Sequence, residues 1–563
     1  MDQADAPGTT TVDEVPADDR RTDEARPAPD PVDGANDDGH PRPTPTQRAA
    51  HVGRTYWPLA LVFLLALGVR LWSVYAGMPE CTPAQAANRT VLTECYAVGG
   101  DAYHYQDLAQ HIADGKGFTV LSYATFTDVD VADHPPAYPL FLAALDTLGL
   151  TEMNQHRLVM SFVGALAAAM VGLVGWRVMG RATGVVAGVI AATYAGYWMS
   201  EAYYMSESLF VLFVAFALLA AYRFWRSPSW TNALLAGFTG GLAWLTRGEA
   251  ALVLGFTMLG FLAFSRREAF WKRVKLGVVA CAVCIGMMVP WVAYNLYRFP
   301  EPIYIASTGT AFALNSCDEV WYGDGTGFYS FGCLARTTTE VQAEDGEVTD
   351  AGLRRKATEY QRANLGRYPA VVAIRIGRLF GVYAVGDTFD RNWAAEGRRP
   401  DWVRAQVVYY YGFLVLGAVG LVVLRRRRVP ITPLVAPLLA TMATVAGTFA
   451  IFRYRLTADT ALIVAGAAGL VAVVQWGVRS LRGDDPAPPP DGGVGEVPAT
   501  VATASTSRSI VEPDRPGAAV PEGSTAGPAK RLPSLDELLV AGPHRSDEGG
   551  EVSPGGAAAS REP

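Results

Sequence analysis

The amino-acid sequence predicts an all-α polytopic membrane protein of about ten transmembrane helices, with two long extracytoplasmic loops that carry interfacial helices. Two observations lead there. Of 563 residues, 50% are hydrophobic and only 18% are charged, and the apolar residues are gathered into long runs. A hydrocarbon core about 30 Å thick needs about 20 apolar helical residues, a length that many of these runs approach. The second observation is where the basic residues fall: they cluster after every second run, which is the bias expected of short cytoplasmic loops.

Taken in order, residues 1–50 are rich in Asp, Pro and Thr and lack apolar periodicity. They read as a disordered cytoplasmic tail that buries too little surface to offset the entropy of ordering. Residues 483–563, dominated by Pro, Gly, Ala and Ser, read the same way. The net charge of -7 comes mostly from these tails, so nucleic acid is not an expected partner. Met1 is followed by acidic residues rather than a basic region, which makes the first apolar run an uncleaved anchor.

Between the tails, residues 51–482 form the membrane domain. The expected spans are Trp57–Gly77, Arg157–Val178, Thr183–Met199, Met205–Phe224, Thr231–Leu245, Ala250–Phe264, Val274–Leu296, Gln406–Leu424, Pro430–Ile451 and Thr457–Val478. With the N-terminus inside, the even-numbered spans end at Arg177 with Arg181, Arg223 with Arg226, "SRREAFWKRVK", Arg425–Arg428, and Arg479 with Arg482. All five clusters then lie inside, and both termini are cytoplasmic.

Two long segments, 78–156 and 297–404, fall outside. Each holds two cysteines, and an oxidising exterior suits one local disulfide per loop, Cys81–Cys95 and Cys317–Cys333. Cys281 and Cys284 lie inside a span and read as small buried hydrophobes.

Several charges break the positive-inside pattern and all fall at the outer rim: Arg247 and Glu249 ("TRGEAAL"), Arg453 and Arg455 ("FRYRL"), Glu207 ("MSESLF"), and Asp101, Asp133 and His134 in the first outer loop. Each has a purely structural reading. Asp101 can cap a helix whose apolar face is Tyr105, Leu108, Ala109 and Ile112; Glu207 suits a first helical turn; the arginines can snorkel to headgroups. None of these readings explains the common location. Three arginines at the interface suit a phosphate, and a lone carboxylate beside them suits general-base work on a hydroxyl. A transporter or lipid flippase with the same span count is the rival class. It predicts repeated halves and mid-membrane charges, and neither is visible.

The chain resembles the GT-C superfamily of polytopic glycosyltransferases, in the branch of protein O-mannosyltransferases and lipid A aminoarabinose transferases. The resemblance rests on "GGDAYHYQDLAQHIADGKGF" after the first span, "DHPPAYPLFLAAL", "SESLFVLFVAFALL", "GLAWLTRGEAALVL", "PWVAYNLYRFPEPIYIASTGTAFAL" and "FRYRLTADTALIVAGAAG", in that order over Pro58–Val478. It implies the GT-C fold, a cell-membrane location, a polyprenyl-phosphate sugar donor, and inverting transfer to a hydroxyl acceptor on the outer face. The acceptor class is a glycan, a lipid or a protein. Carried onto this sequence, the catalytic aspartate is Asp101, the phosphate-facing arginine of the outer turn is Arg247, and the late basic motif is Arg453 with Arg455. His134 is placed as a helper at the phosphate, and Glu207, Glu249 and Asp133 as further site candidates. No cofactor is demanded. A divalent metal is compatible with the family, although Ala102 stands where the mannosyltransferase branch has a second acidic residue. The paired-tryptophan signature of oligosaccharyltransferases is absent, which disfavours transfer of a large glycan to asparagine.

Overall fold

The computed structural model describes residues 45–75, 101–121 and 126–482. Cys81, Cys95, residues 1–44 and 483–563 of the two tail readings, and the start of the first outer loop lie outside these residues; residues 45–50, expected to belong to the N-terminal tail, are instead the start of the first helix. The chain runs α1 (Pro45–Tyr75), α2 (Asp101–Ala113), β1 (Thr119–Leu121), β2 (Asp128–Asp130), α3 (Ala137–Thr147), α4 (Met153–Met179), α5 (Arg181–Thr193) and α6 (Ala195–Ala202). It continues through α7 (Glu207–Arg226), α8 (Trp230–Thr246), α9 (Ala250–Phe264), α10 (Phe270–Arg298), the outer-segment helices α11 (Gly309–Ala313), α12 (Asp318–Trp321), α13 (Phe331–Asp345), α14 (Asp350–Ala363), α15 (Tyr368–Leu379) and α16 (Val385–Ala395), then α17 (Pro400–Arg426), α18 (Thr432–Gly447), a 3₁₀ turn (Phe452–Arg455) and α19 (Leu456–Arg482). The architecture is all-α and polytopic. The single sheet among the described residues is the short antiparallel pair β1–β2, with Val120 opposite Val129.

A helix occupies each of the ten expected runs, but they are not ten full-length spans. Among the described residues, six helical segments are long and apolar enough to cross a membrane, and α5 with α6 makes a seventh only as a pair bent by 44°. The bend falls at Tyr194, which leaves the helical region (φ -68°, ψ 117°) and donates to Asp459 Oδ2 at 2.5 Å. The other three, α8, α9 and α18, have 17, 15 and 16 residues. At 1.5 Å per residue these fall short of a hydrocarbon core about 30 Å thick.

The bundle has two chemically distinct ends. At one end Arg226 donates to the Arg177 carbonyl, Arg267 to the Arg226 carbonyl, Tyr222 to the Pro430 carbonyl and Arg177 to Tyr56. These bonds gather the start of α1, the ends of α4 and α7, and the two linkers that precede α10 and α18. The expected basic clusters of those segments therefore share an end. At the opposite end stand the start of α7, the α8–α9 turn, the 3₁₀ turn and both outer segments.

Helix packing relies on small residues, since lipid tails offer no hydrophobic drive for helices to associate. Along the α17–α19 contact, a Cβ on Gly420 would collide with the Ala465 carbonyl, and one on Gly469 with the Leu416 carbonyl. The helices meet backbone to backbone there. A buried ion pair missed in the sequence reading, Arg70–Glu201 at 3.1 Å, joins α1 to α6. Gly164 of α4 leaves room for it, because a Cβ there would overlap the Glu201 carboxylate.

In the second outer segment Cys317 and Cys333 form the expected disulfide. Its core is Val320, Trp321 and Val371 around that bridge. Cys284 is buried and Cys281 half-buried, in line with a packing role.

Candidate active site

Asp101 is the first residue of α2. The helix buries Ala102, Tyr105 and Ala109 against Tyr138 and Leu142 of α3 and Tyr204 and Leu209 beyond, and Leu108 against Phe118, Met288 and Trp291, so the expected apolar face is the one that anchors it. That anchoring presents Asp101 over the end of the bundle. Its Oδ2 lies 2.8 Å from Arg453 Nη1.

Arg453 is the centre of a wider cluster. Its Nε is 3.3 Å from Glu207 Oε1, and its Nη1 is 3.5 Å from Glu396 Oε2. Glu207 in turn takes Arg247 Nη1 at 2.7 Å, and Arg247 Nε reaches Glu249 Oε1 at 2.7 Å. Arg398 Nη2 closes the edge at 3.5 Å from Glu396. Glu207 is almost fully enclosed (1% exposed side chain), whereas Asp101 retains 34%. Residues from the first outer segment, α7, the α8–α9 turn, α16 and the 3₁₀ turn thus meet in one network.

Local structure explains each placement. Glu207 opens α7, where the positive end of the helix dipole favours a carboxylate. Arg247 and Glu249 flank the tight turn between α8 and α9, and Arg247 also lies 5.5 Å from the Tyr454 ring centre. Asn392 of α16 accepts the Phe452 backbone N–H at 2.7 Å, which docks the end of α16, and with it Glu396, onto the 3₁₀ turn.

Asp133 and His134 follow the β1–β2 hairpin. Arg298, at the end of α10, holds the hairpin through Asp130 (2.9 Å) and the Phe118 and Val131 carbonyls (2.8 and 3.1 Å). Asp133 lies 3.6 Å from His104 Nε2, and the His134 ring packs 4.7 Å from Tyr105 and 5.6 Å from His104. Both belong to the wall beside Asp101 rather than to the ion-pair network itself.

Electrostatics distinguish the titratable groups. Burial alone would raise the Asp101 carboxyl, but the Arg453 guanidinium, with His134 and Arg247 behind it, outweighs that and holds the group well below the usual carboxylate range. Burial pushes His134 down, against the pull of Asp101. Asp101 is ionised and is a weak base while Arg453 is its partner.

Arg455 is not in this network. It is buried, its Nε pairs with Asp459 Oδ1 at 2.9 Å, its Nη1 donates to the Leu379 carbonyl at 2.9 Å, and it lies over the Tyr410 ring. The expectation that it faces a phosphate is corrected: it fastens α19 to α15 and α17. Two network members, Glu396 and Arg398, were not singled out from the sequence. They lie in "WAAEGRRP", a charged stretch that looks like many solvated turns and carries no signal of its own.

Among the described residues, the one set of ligating side chains close enough to share a metal ion is Cys317, Glu319 and Cys333. Both sulfurs there are spent on the disulfide.

Residues 133–294 match the family model described as dolichyl-phosphate-mannose-protein mannosyltransferase. The matched region contains Asp133, His134, Glu207, Arg247 and Glu249, and it excludes Asp101, Glu396 and Arg453. No curated protein matches the chain. Among solved structures it is similar to the oligosaccharyltransferase AglB from Archaeoglobus fulgidus in complex with an inhibitory peptide and a dolichol-phosphate, at 16% identity and a TM-score of 0.44, over 76% of this chain and 51% of that one. It is also similar to ArnT from Cupriavidus metallidurans bound to undecaprenyl phosphate, at 14% identity and a TM-score of 0.32, over 68% of this chain and 75% of that one. The chain spans about half the length of the AglB structures it matches.

Proposed function

We propose that the chain is a glycosyltransferase of the GT-C kind, an inverting enzyme that moves a sugar from a polyprenyl phosphate to a hydroxyl acceptor on the outer face of the membrane, a reading supported by the mannosyltransferase family model over residues 133–294. One observation carries the reading: a carboxylate and two arginines, Asp101, Arg453 and Arg247, converge from segments far apart in sequence at the end of the bundle opposite the basic clusters. A guanidinium pair suits the oxygens of a phosphate diester, and a carboxylate beside it suits a hydroxyl proton.

In the proposed reaction the acceptor oxygen attacks the anomeric carbon from the face opposite the phosphate. The carbon–oxygen bond to the phosphate breaks, and that bond's electrons leave with the phosphate. Asp101 takes the hydroxyl proton. Arg453 and Arg247 neutralise the charge that grows on the leaving phosphate, which then needs no proton from an acid. Glu207 and Glu249 fix the arginines, and His134 with Asp133 shapes the wall on the Asp101 side.

The test is transfer from a panel of radiolabelled polyprenyl-phosphate sugars by detergent-purified protein. Asp101→Asn keeps the helix-capping capacity and removes the base, so transfer should fall by about 10²–10⁴ with an unchanged melting curve. Activity within a few-fold of the native protein would remove Asp101 from the mechanism.

A further inference from the structure

The network holds more negative than positive charge. Asp101, Glu207, Glu249 and Glu396 face Arg247 and Arg453, with Arg398 at the edge. A phosphate anion cannot join such a cluster unless a carboxylate gives up its guanidinium, because adding a further negative charge within ion-pair distance is unfavourable at low local dielectric. Two carboxylates contest a single nitrogen, Arg453 Nη1: Asp101 at 2.8 Å and Glu396 at 3.5 Å. Glu207 is not a candidate to leave, since it is enclosed and also bonded to Arg247 at 2.7 Å.

We propose that the donor phosphate takes Arg453 Nη1 from Asp101, so that donor binding itself unmasks the base, while Glu396 and Glu207 keep the guanidinium in place. The inference rests on the donor reading above. Asp101 is the partner free to move: its side chain is 34% exposed, against 9% for Glu396 and 1% for Glu207. It is the first residue of α2, where the positive end of the helix dipole still favours the free carboxylate after release. Glu396 is tied to Arg398, and α16 is pinned through Asn392. Chemically the exchange solves the problem that an aspartate locked on an arginine is a poor proton acceptor. Released from Arg453, with only His134 and Arg247 still facing it, the carboxylate becomes more basic when a hydroxyl is to be attacked. The exchange therefore imposes an order, donor before acceptor.

The experiment measures the affinity of purified protein for undecaprenyl phosphate without a sugar. If Asp101 competes for Arg453, removing its charge strengthens binding even though it abolishes turnover. Asp101→Asn and Asp101→Ala should each bind the probe about fivefold more tightly than the native protein, the size expected of a half-buried ion pair. Glu396→Gln, which removes the same charge from the same nitrogen, should tighten binding less. Affinity that is unchanged or weaker in both Asp101 variants overturns the exchange and leaves the donor reading standing. Equal or greater tightening by Glu396→Gln overturns the identity of the mobile partner. A native protein that fails to bind the probe at all overturns the exchange and the donor reading together.

Discussion

Arg453 and Arg455 stand two residues apart in "FRYR" and do unrelated work. A 3₁₀ turn advances by about 120° per residue, so side chains two apart point to different sides. Arg453 turns toward Asp101, while Arg455 turns inward to Asp459. The two should therefore fail differently when truncated. Arg455→Met leaves the buried Asp459 without its counter-charge, held only by the Tyr194 hydroxyl, and should cost about 3–5 kcal/mol of stability, with undecaprenyl-phosphate affinity unchanged in the protein that remains folded. Arg453→Met should cost the affinity first. Melting curves beside binding isotherms separate the two, and a pair of variants with the same profile would refute the assignment. Adding Asp459→Leu to Arg455→Met should restore much of the lost stability, because the uncompensated charge goes with it.

At the scale of the element, the helices that deliver the site are held by close approach as much as by greasy surface. The 3₁₀ turn is continuous with α19, and α19 meets α17 through Gly420 and Gly469. Gly420→Val inserts a side chain into the Ala465 carbonyl, a clash with backbone that cannot rotate away, and should destabilise by about 1–3 kcal/mol or more. Gly412→Ala on the same helix meets nothing within 4 Å and should be neutral or gain up to about 1 kcal/mol from helix propensity. Thermal melting of the two variants checks the contrast. The hydropathy pattern located α8, α9 and α18 correctly, yet it overstated them as spans. Sequence windows register apolar content, whereas crossing depends on length and on what the neighbouring helices cover.

At the scale of the whole molecule, the separation between a basic end and an acid-and-arginine end is the property from which orientation follows. We expect the basic end to face the cytoplasm. A cysteine placed at Thr339, exposed in α13, should react with an impermeant maleimide from outside intact cells, and one at Ser227, in the turn after α7, only after permeabilisation. The reverse pattern would turn the protein over and put the Asp101 network on the cytoplasmic side.

What the sequence by itself determined is whatever depends on local pattern. The helical runs, the shared end of the basic clusters, the apolar face of α2 and the Cys317–Cys333 pair were all readable, because period, composition and loop membership are local quantities. Asp101, Glu207, Arg247, Glu249 and Arg453 were readable too, as charges where a membrane protein should have none. Tertiary structure alone decided which of those charges touch. It joined Asp101 to Arg453 across the whole chain, added Glu396 and Arg398 from an unremarkable turn, and moved Arg455 out. The physical reason is that an ion pair needs its atoms within about 4 Å, and which distant segments come that close is set by the packing of the helices that carry them.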